Sequence, residues 1–280
     1  MSVNKNLTIA AENHWLIDQE SINIVDCLQI NSGISKTSLK EIMKKGAVWV
    51  THNDNIKRVR RANKMLKMGD TLHLYYNESV LNEVPLEPVL MTDLGDYSIW
   101  NKPYGLRSQG SKWGDHCAIN RWVEQHLKPQ RPAFIVHRLD RAAKGLIIIA
   151  HSKKIAAKFS KLFRLRKIKK RYHVWVHGCF EKSSLPVTYT DNLDGKTAVT
   201  HVKRLEYDEA TDKSLMDVEI ETGRKHQIRR HLSMHGFIVV GDRLYGDESA
   251  SVDLKLEAFE ISFTSPIDGS YKHFFLKQEG

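Results

Sequence analysis

The sequence predicts an α+β protein in which a mixed sheet takes up most of the chain and a small α+β unit precedes it. Three observations lead there. From about residue 93 onward, strand-like and helix-like segments alternate irregularly, without the βαβ rhythm of a doubly wound sheet. Residues 81–90, LNEVPLEPVL, set two prolines and acidic residues among apolar ones and read as an extended linker. A chain of 280 residues can bury one substantial core and accommodate one or two domains. The expected organisation is therefore residues 1–80, a linker at 81–90, and a second domain over 91–280.

In the first unit, a helix is expected at 22–31. Ser35, Lys36 and Thr37 start a second helix that runs to Lys45, and Gly46 stops it. A strand follows at 47–51, then a polar turn at 52–55, and Gly69-Asp70 precedes a closing strand at 71–75. In the second domain, 96–105 reads as a strand entering a turn at Lys102-Pro103-Tyr104-Gly105. Further strands are expected at 146–151, 172–177, 214–221 and 260–264, and helices at 118–127, 155–165 and 225–234.

Lys and Arg number 43 against 33 Asp and Glu, a net charge of +10, which favours a polyanionic partner. Ten basic residues lie between Lys153 and Arg171, interleaved with Phe159, Leu162, Phe163 and Ile168. That spacing places an apolar helix face on a core and turns the cations outward. Cys27, Cys117 and Cys179 are odd in number and far apart, as expected of thiols in a reducing compartment. The N-terminal stretch shows no basic leader with an apolar core, and no apolar run approaches a membrane span. A monomeric cytoplasmic protein is expected, with no membrane association.

The chemistry concentrates in three stretches. Residues 137–145 read HRLDRAAKG and place Asp140 just before the apolar run 146–150. A carboxylate at the mouth of a buried strand is either a structural ion pair or a reactive acid. Lys170-Arg171-Tyr172 heads another strand, and residues 222–246 read TGRKHQIRRHLSMHGFIVVGDRLYG. This ordered set, HRLD, K-x-Y, GR-x-HQIR-x-H and GD-x-x-YG, together with the Lys102-Pro103-x-Gly105 turn, resembles the RluA-type pseudouridine synthases. The resemblance implies a largely antiparallel pseudouridine synthase fold, no cofactor and no metal. The implied activity is isomerisation of specific uridines in a structured ribosomal or transfer RNA.

It also implies roles. Asp140 would be the nucleophile, since a carboxylate attacks at neutral pH without a base to deprotonate it. Both the base and the anomeric carbon remain open as its target. Arg229 would hold it ionised through a planar guanidinium. Tyr172 would stack on the flipped uracil, and its hydroxyl would assist proton removal from carbon 5. Arg138, Arg141, Lys144, Lys170, Arg171, Arg224, His226 and Gln227 are the RNA-binding candidates; Arg138 would take part in displacing the flipped base, and Thr222-Gly223-Arg224 at a helix N-terminus would offer a phosphate site. Asp242 and Tyr245 read as a turn and its packing. The family usually continues HRLD-x-x-TSG, whereas this chain has Ala143-Lys144-Gly145, which loses two hydroxyls and adds a cation near the nucleophile or a substrate phosphate.

The first unit, with its S-K-T-S-L-K-x-x-x-x-K-G-x-V-x-V run, is similar to S-four-type RNA-binding domains. It departs from them in having Val25-Asp26-Cys27-Leu28 for the usual R-L-D-x-x-L and in lacking Asn-Gly in the turn. Two rivals carry other chemistry. His226, His231 and His235 could suggest zinc, but the HExxH glutamate is missing. A non-catalytic RNA-binding or ribosome-assembly protein that keeps the synthase fold is the alternative function. Neither a phosphate-loop nor a dinucleotide motif occurs.

Overall fold

The computed structural model describes residues 10–277; residues 1–9, half of the stretch read for a leader and the start of the expected 1–80 unit, lie outside them. The chain forms two compact units. One comprises residues up to Pro85 with Gln109–Trp122, the other Leu86–Ser108 with the residues from Val123 onward.

In the first unit, Asn23 accepts from the Val25 amide at 2.9 Å and starts the helix Ile24–Ser32. Ser35 caps Lys36–Lys44 through the Ser38 amide. These helices bury Leu28, Leu39 and Met43 against Val48, Leu72 and Leu74 of the sheet. The strand Val48–His52 pairs with Asn55–Arg58 and Thr71–Asn77. A further strand, Ala10–Leu16, pairs with Thr71–Asn77. It escaped the sequence reading because its residues alternate only between exposed and half-buried, leaving little apolar signal.

Segment Gln109–Trp122 belongs to this unit rather than to the expected 91–280 domain. Asp115 accepts from both Arg58 and Arg60, and the Trp49 indole donates to the Lys112 carbonyl at 3.1 Å. Pairings this distant in sequence leave no local pattern. Within the expected linker, Leu81 closes the short helix Glu78–Leu81 and is buried, and the strand Val89–Asp93 has already begun.

The second unit is built on a ten-stranded sheet. Its main order is Val187–Tyr189, Thr200–Asp208, Lys213–Ile220, Ile168–His177, Leu256–Thr264, Lys144–Ala150, Tyr97–Lys102 and Val89–Asp93. Tyr271–Phe275 adds beside Leu256–Thr264, and Phe134–Ile135 beside Lys144–Ala150. The single parallel pairing is Lys144–Ala150 with Leu256–Thr264, so the sheet is mixed and largely antiparallel. The strand Thr200–Asp208 was not expected, since only Thr200 and Val202 are buried and its remaining residues are mostly charged or polar.

Ser152 caps the helix Lys153–Arg164 through the Ile155 amide. The helix packs Ile155 and Phe159 on Tyr97, Ile148 and Phe263, with Phe159 edge-on to both Tyr97 and Phe263. Lys153, Lys154, Lys161 and Arg164 are exposed, while Lys158 reaches the Pro266 carbonyl at 3.0 Å. Among the described residues, no helix is long and apolar enough to cross a membrane. No disulfide links Cys27, Cys117 and Cys179.

Candidate active site

Asp140 sits on a short segment held from both sides. Ser108 donates its hydroxyl to the Leu139 carbonyl at 2.7 Å and accepts the Leu139 amide at 3.0 Å. On the other side, the Gly105 amide donates to the Arg141 carbonyl at 2.8 Å, and Arg141 Nε returns a bond to the Gly105 carbonyl at 3.2 Å. The turn at 103–106 is fastened from inside by Lys102, a fully buried residue whose ammonium donates to the carbonyls of Leu106 at 2.8 Å and Pro103 at 3.0 Å. Burial pushes the Lys102 amine down to about 7, while the charge of Asp140 opposes that shift. In the sequence Lys102 reads only as part of a turn; its burial is a tertiary fact.

The strand after Asp140 begins at a close approach. Gly145 pairs with Ala258, its φ is +116°, and a Cβ there would lie 2.4 Å from the Ala258 carbonyl oxygen. On the other side of Leu256–Thr264, Arg171 pairs with Glu260 while Tyr172 pairs with Ala258, so Phe259 is skipped in a β-bulge. The bulge sets Tyr172, Ala258 and Gly145 side by side at the site. Tyr172 is buried, and burial first, then the charge of Asp140, raises its phenol well above the ordinary tyrosine range. Its resting hydroxyl is therefore protonated, and any help it gives carbon 5 comes from a neutral phenol.

Arg229 lies on the helix Gln227–Met234 and is buried. Its Nε and Nη2 grip Asp242 at 2.7 and 2.6 Å, a two-pronged bond that leaves Nη1 facing Asp140 Oδ2 at 3.6 Å. Asp242 also accepts the amides of Leu244 and Tyr245. Burial alone would raise the Asp242 carboxyl; the Arg229 fork and the two amides outweigh it and hold it below the usual carboxylate range. Asp242 is thus more than a turn residue, since it aims the arginine. Gly241 supplies the backbone it needs, with φ +79° and a Cβ position 2.5 Å from the Asp253 carbonyl oxygen.

His226 stands at φ +52°, directly before that helix. Its Nε2 is 3.9 Å from Asp140 Oδ1, and its Nδ1 is 2.9 Å from the Tyr245 hydroxyl. Tyr245 also places its ring under Arg229, 5.1 Å from the guanidinium carbon. Burial lowers the His226 imidazole below its ordinary value against the pull of Asp140, so the ring is neutral near pH 7.

The other candidates divide. Arg138 is exposed beside Asp140, and Arg141 is exposed and bonded to Gly105. Lys170 is half-buried above the Phe163 ring, and burial pushes its amine down to about 8. Arg224 uses Nε on the Thr197 carbonyl at 3.1 Å. Several of the candidates are engaged within the protein itself. Gln227 is buried, accepts from Thr222 Oγ1 and the Arg224 amide, and donates to Val199 and Thr200, so no polar atom remains for RNA. The Arg224 amide is likewise committed there, which removes one donor from the expected phosphate site. Arg171 has every side-chain nitrogen engaged by Asp217 and Glu260. His226 stands 3.9 Å from the Asp140 carboxylate, and Lys144 is paired with Glu257 at 3.0 Å.

His137, at the start of the same motif as Asp140, is tied to the backbone. Its Nε2 accepts the Ile148 amide at 3.0 Å, extending the ladder that Ile135 and Phe134 begin on the same strand. Burial first, then Lys170, pushes the ring down to about 3. The histidines weighed for zinc are separately engaged: His226 with Tyr245, His231 with the Asp191 carbonyl, and His235 with the Asp191 carboxylate, stacked on Tyr189.

The sequence profile of the RNA pseudouridylate synthase family matches residues 96–234, which span Asp140, Tyr172 and Arg229. The dual-specificity RNA pseudouridine synthase RluA of Vibrio parahaemolyticus is 32% identical over 187 residues, covering 59% of this chain and 73% of the relative. The chain belongs to the RNA pseudouridine synthase family. Ribosomal large subunit pseudouridine synthase C of Buchnera aphidicola is 26% identical over 284 residues, 86% of this chain and 84% of that protein. The structure of human RNA pseudouridylate synthase domain containing 1 superposes with a TM-score of 0.57 at 21% identity, covering 69% of this chain and 84% of its own, and so shares the fold. The synthase is an isomerase that forms pseudouridine in RNA, and the non-catalytic alternative is not favoured.

Proposed function

We propose that Asp140 is the nucleophile with which this synthase isomerises uridines in a structured ribosomal or transfer RNA, working as a cytoplasmic monomer without cofactor or metal. The observation that carries the proposal is the state of the carboxylate. Asp140 is 28% exposed at its side chain and lies 3.6 Å from Arg229 and 3.9 Å from His226. Neither distance is a closed hydrogen bond. The anion is therefore electrostatically supported, while its lone pairs stay available to a carbon atom. Arg229 sets a positive charge 3.6 Å from it, and Tyr172 forms the floor on which the flipped base rests. Arg138, Arg141 and Lys170 are the cations nearest to hand for the RNA backbone. Residues 1–80 serve as an S-four-like RNA-binding domain to which the 109–122 segment adds, 81–90 as its linker, and the rest of 91–280 as the catalytic domain.

The test follows from the atom balance. Isomerisation breaks the bond from uracil nitrogen to ribose, joins carbon 5 instead, and must expel the hydrogen of carbon 5. RNA tritiated at that carbon should release label to water in proportion to pseudouridine formed. Asp140→Asn should lower release by about 10⁴-fold or more while RNA binding stays within a few-fold. Release near the wild-type rate in that variant removes Asp140 from the role.

A further inference from the structure

Nδ1 and Nε2 of His226 face different partners, and only one proton is available to a neutral imidazole. If Nδ1 carried it, the lone pair of Nε2 would point at the carboxylate oxygen 3.9 Å away. If Nε2 carries it, an N–H dipole points at the anion, and Nδ1 must then accept from the Tyr245 hydroxyl at 2.9 Å. The second arrangement is electrostatically favoured, and a tyrosine hydroxyl can rotate to donate without penalty. Arg229, positioned over the Tyr245 ring, draws electron density from it and strengthens that donation.

We propose that Tyr245 and His226 form a fixed pair in which the tyrosine hydroxyl selects the Nε2–H tautomer, so that Asp140 lies between two N–H donors, Arg229 on Oδ2 and His226 on Oδ1. Tyr245 is anchored for this purpose, its amide on Asp242 and its carbonyl accepting from Ser233. His226 is held at φ +52°, ψ 31°, a left-handed conformation that aims the ring across the helix start. The charged groups acting on the imidazole are Asp140, Arg229, Lys225 and Asp242, and the two cations together with burial disfavour a second proton on the ring.

The arrangement has a chemical purpose that rests on Asp140 being the nucleophile. In an isomerisation the covalent adduct must break as well as form, so the attacking carboxylate must also be a competent leaving group. Two N–H donors stabilise the carboxylate as it is released, and they fix its plane between the two events. Tyr245 is then a positioning residue that acts through His226.

Nitrogen-15 NMR of imidazole-labelled protein reads the tautomer directly. The expected result is Nε2–H at His226 in the wild type, with a shift towards mixed tautomers in Tyr245→Phe. With total RNA from cells lacking the protein, tritiated at uridine carbon 5, Tyr245→Phe should lower kcat roughly 10-fold at nearly unchanged KM. His226→Asn, which tolerates the backbone but cannot reach Asp140, should lose about 100-fold, and His226→Gln should recover part of that loss through its amide N–H. An Nδ1–H ring in the wild type, or Tyr245→Phe with both tautomer and kcat unchanged, overturns the proposal. If Tyr245→Phe fails to fold, the Gln-against-Asn comparison decides, and equal rates for the two overturn it. Asp140→Asn keeps the two readings apart. Activity in that variant defeats the nucleophile assignment, while the tautomer of His226 is measured independently of turnover.

Discussion

Two arginines of the second unit each meet two carboxylates, and the difference between them separates a reactive site from a strut. Arg171 donates to Asp217 through Nε and Nη2, to Glu260 through Nη1 at 2.7 Å, and lies over the Phe259 ring. Every nitrogen is engaged, so the network is closed. Arg229 grips Asp242 with two nitrogens and leaves the third 3.6 Å from Asp140. That network is closed on one side and open on the other. A closed pair ties up the oxygens of its carboxylates; an open one leaves a carboxylate beside a guanidinium that is held by another partner. Both arginines lie in family-like motifs, yet only Arg229 is left with a nitrogen facing Asp140.

Asp242→Asn breaks the comparison most sharply. It removes the charge that holds the Arg229 fork and leaves a buried guanidinium without its counter-ion, which should destabilise the protein by about 3–5 kcal/mol. The freed arginine should close on Asp140, and pseudouridine formation should fall by about 100-fold even where the fold persists. Urea unfolding and a turnover assay on the same preparation check both parts. Turnover at the wild-type rate would mean that Asp242 does not aim Arg229.

Arg171→Met tests the closed network. It leaves Asp217 and Glu260 partly buried without their partner, at an expected loss of about 1–2 kcal/mol, since the arginine is itself a third exposed. Rate at saturating RNA should stay within about 3-fold of wild type, because each side-chain nitrogen of Arg171 already bonds to Asp217 or Glu260. A large fall in kcat with the protein folded would place Arg171 back in the site.

Lys102 and His137 sharpen the comparison through pH. Lys102 falls from 10.5 to about 7, so between those values the unfolded chain holds a proton that the folded chain lacks. Stability should therefore rise with pH across that window, by at most about 1.4 kcal/mol per pH unit, and Lys102→Met should abolish the rise. His137 falls from 6.5 to about 3, so stability should be lost as the pH drops from 6.5 towards 3. His137→Gln keeps an acceptor for the Ile148 amide without a titrating proton and should flatten that acid limb. Denaturant midpoints across pH for each variant and the wild type provide the measurement, and parallel curves would refute either assignment.

Asp140, Tyr172 and Arg229 stand out in the sequence because each sits inside a motif that resembles one of the family's, and the helix Lys153–Arg164 because apolar periodicity is a local property. The α+β class followed from irregular alternation, and the cap at Ser35 from a hydroxyl at the start of a helical run. What a motif does not contain is direction. Arg171 and Tyr172 are consecutive, but a bulge opposite Phe259 sends one into a salt-bridge network and the other to the site. Gln227 and Arg229 share one short motif, yet one is saturated by Thr222, Val199 and Thr200 while the other faces Asp140. Lys102 looked like a turn residue until burial lowered its amine, and Asp242 like a turn cap until Arg229 closed on it. The sequence by itself determined which chemical groups are present and which local elements carry them. Tertiary structure alone decided which groups share a low-dielectric space and which donors remain unpaired, because hydrogen-bond saturation and desolvation depend on neighbours distant in the chain.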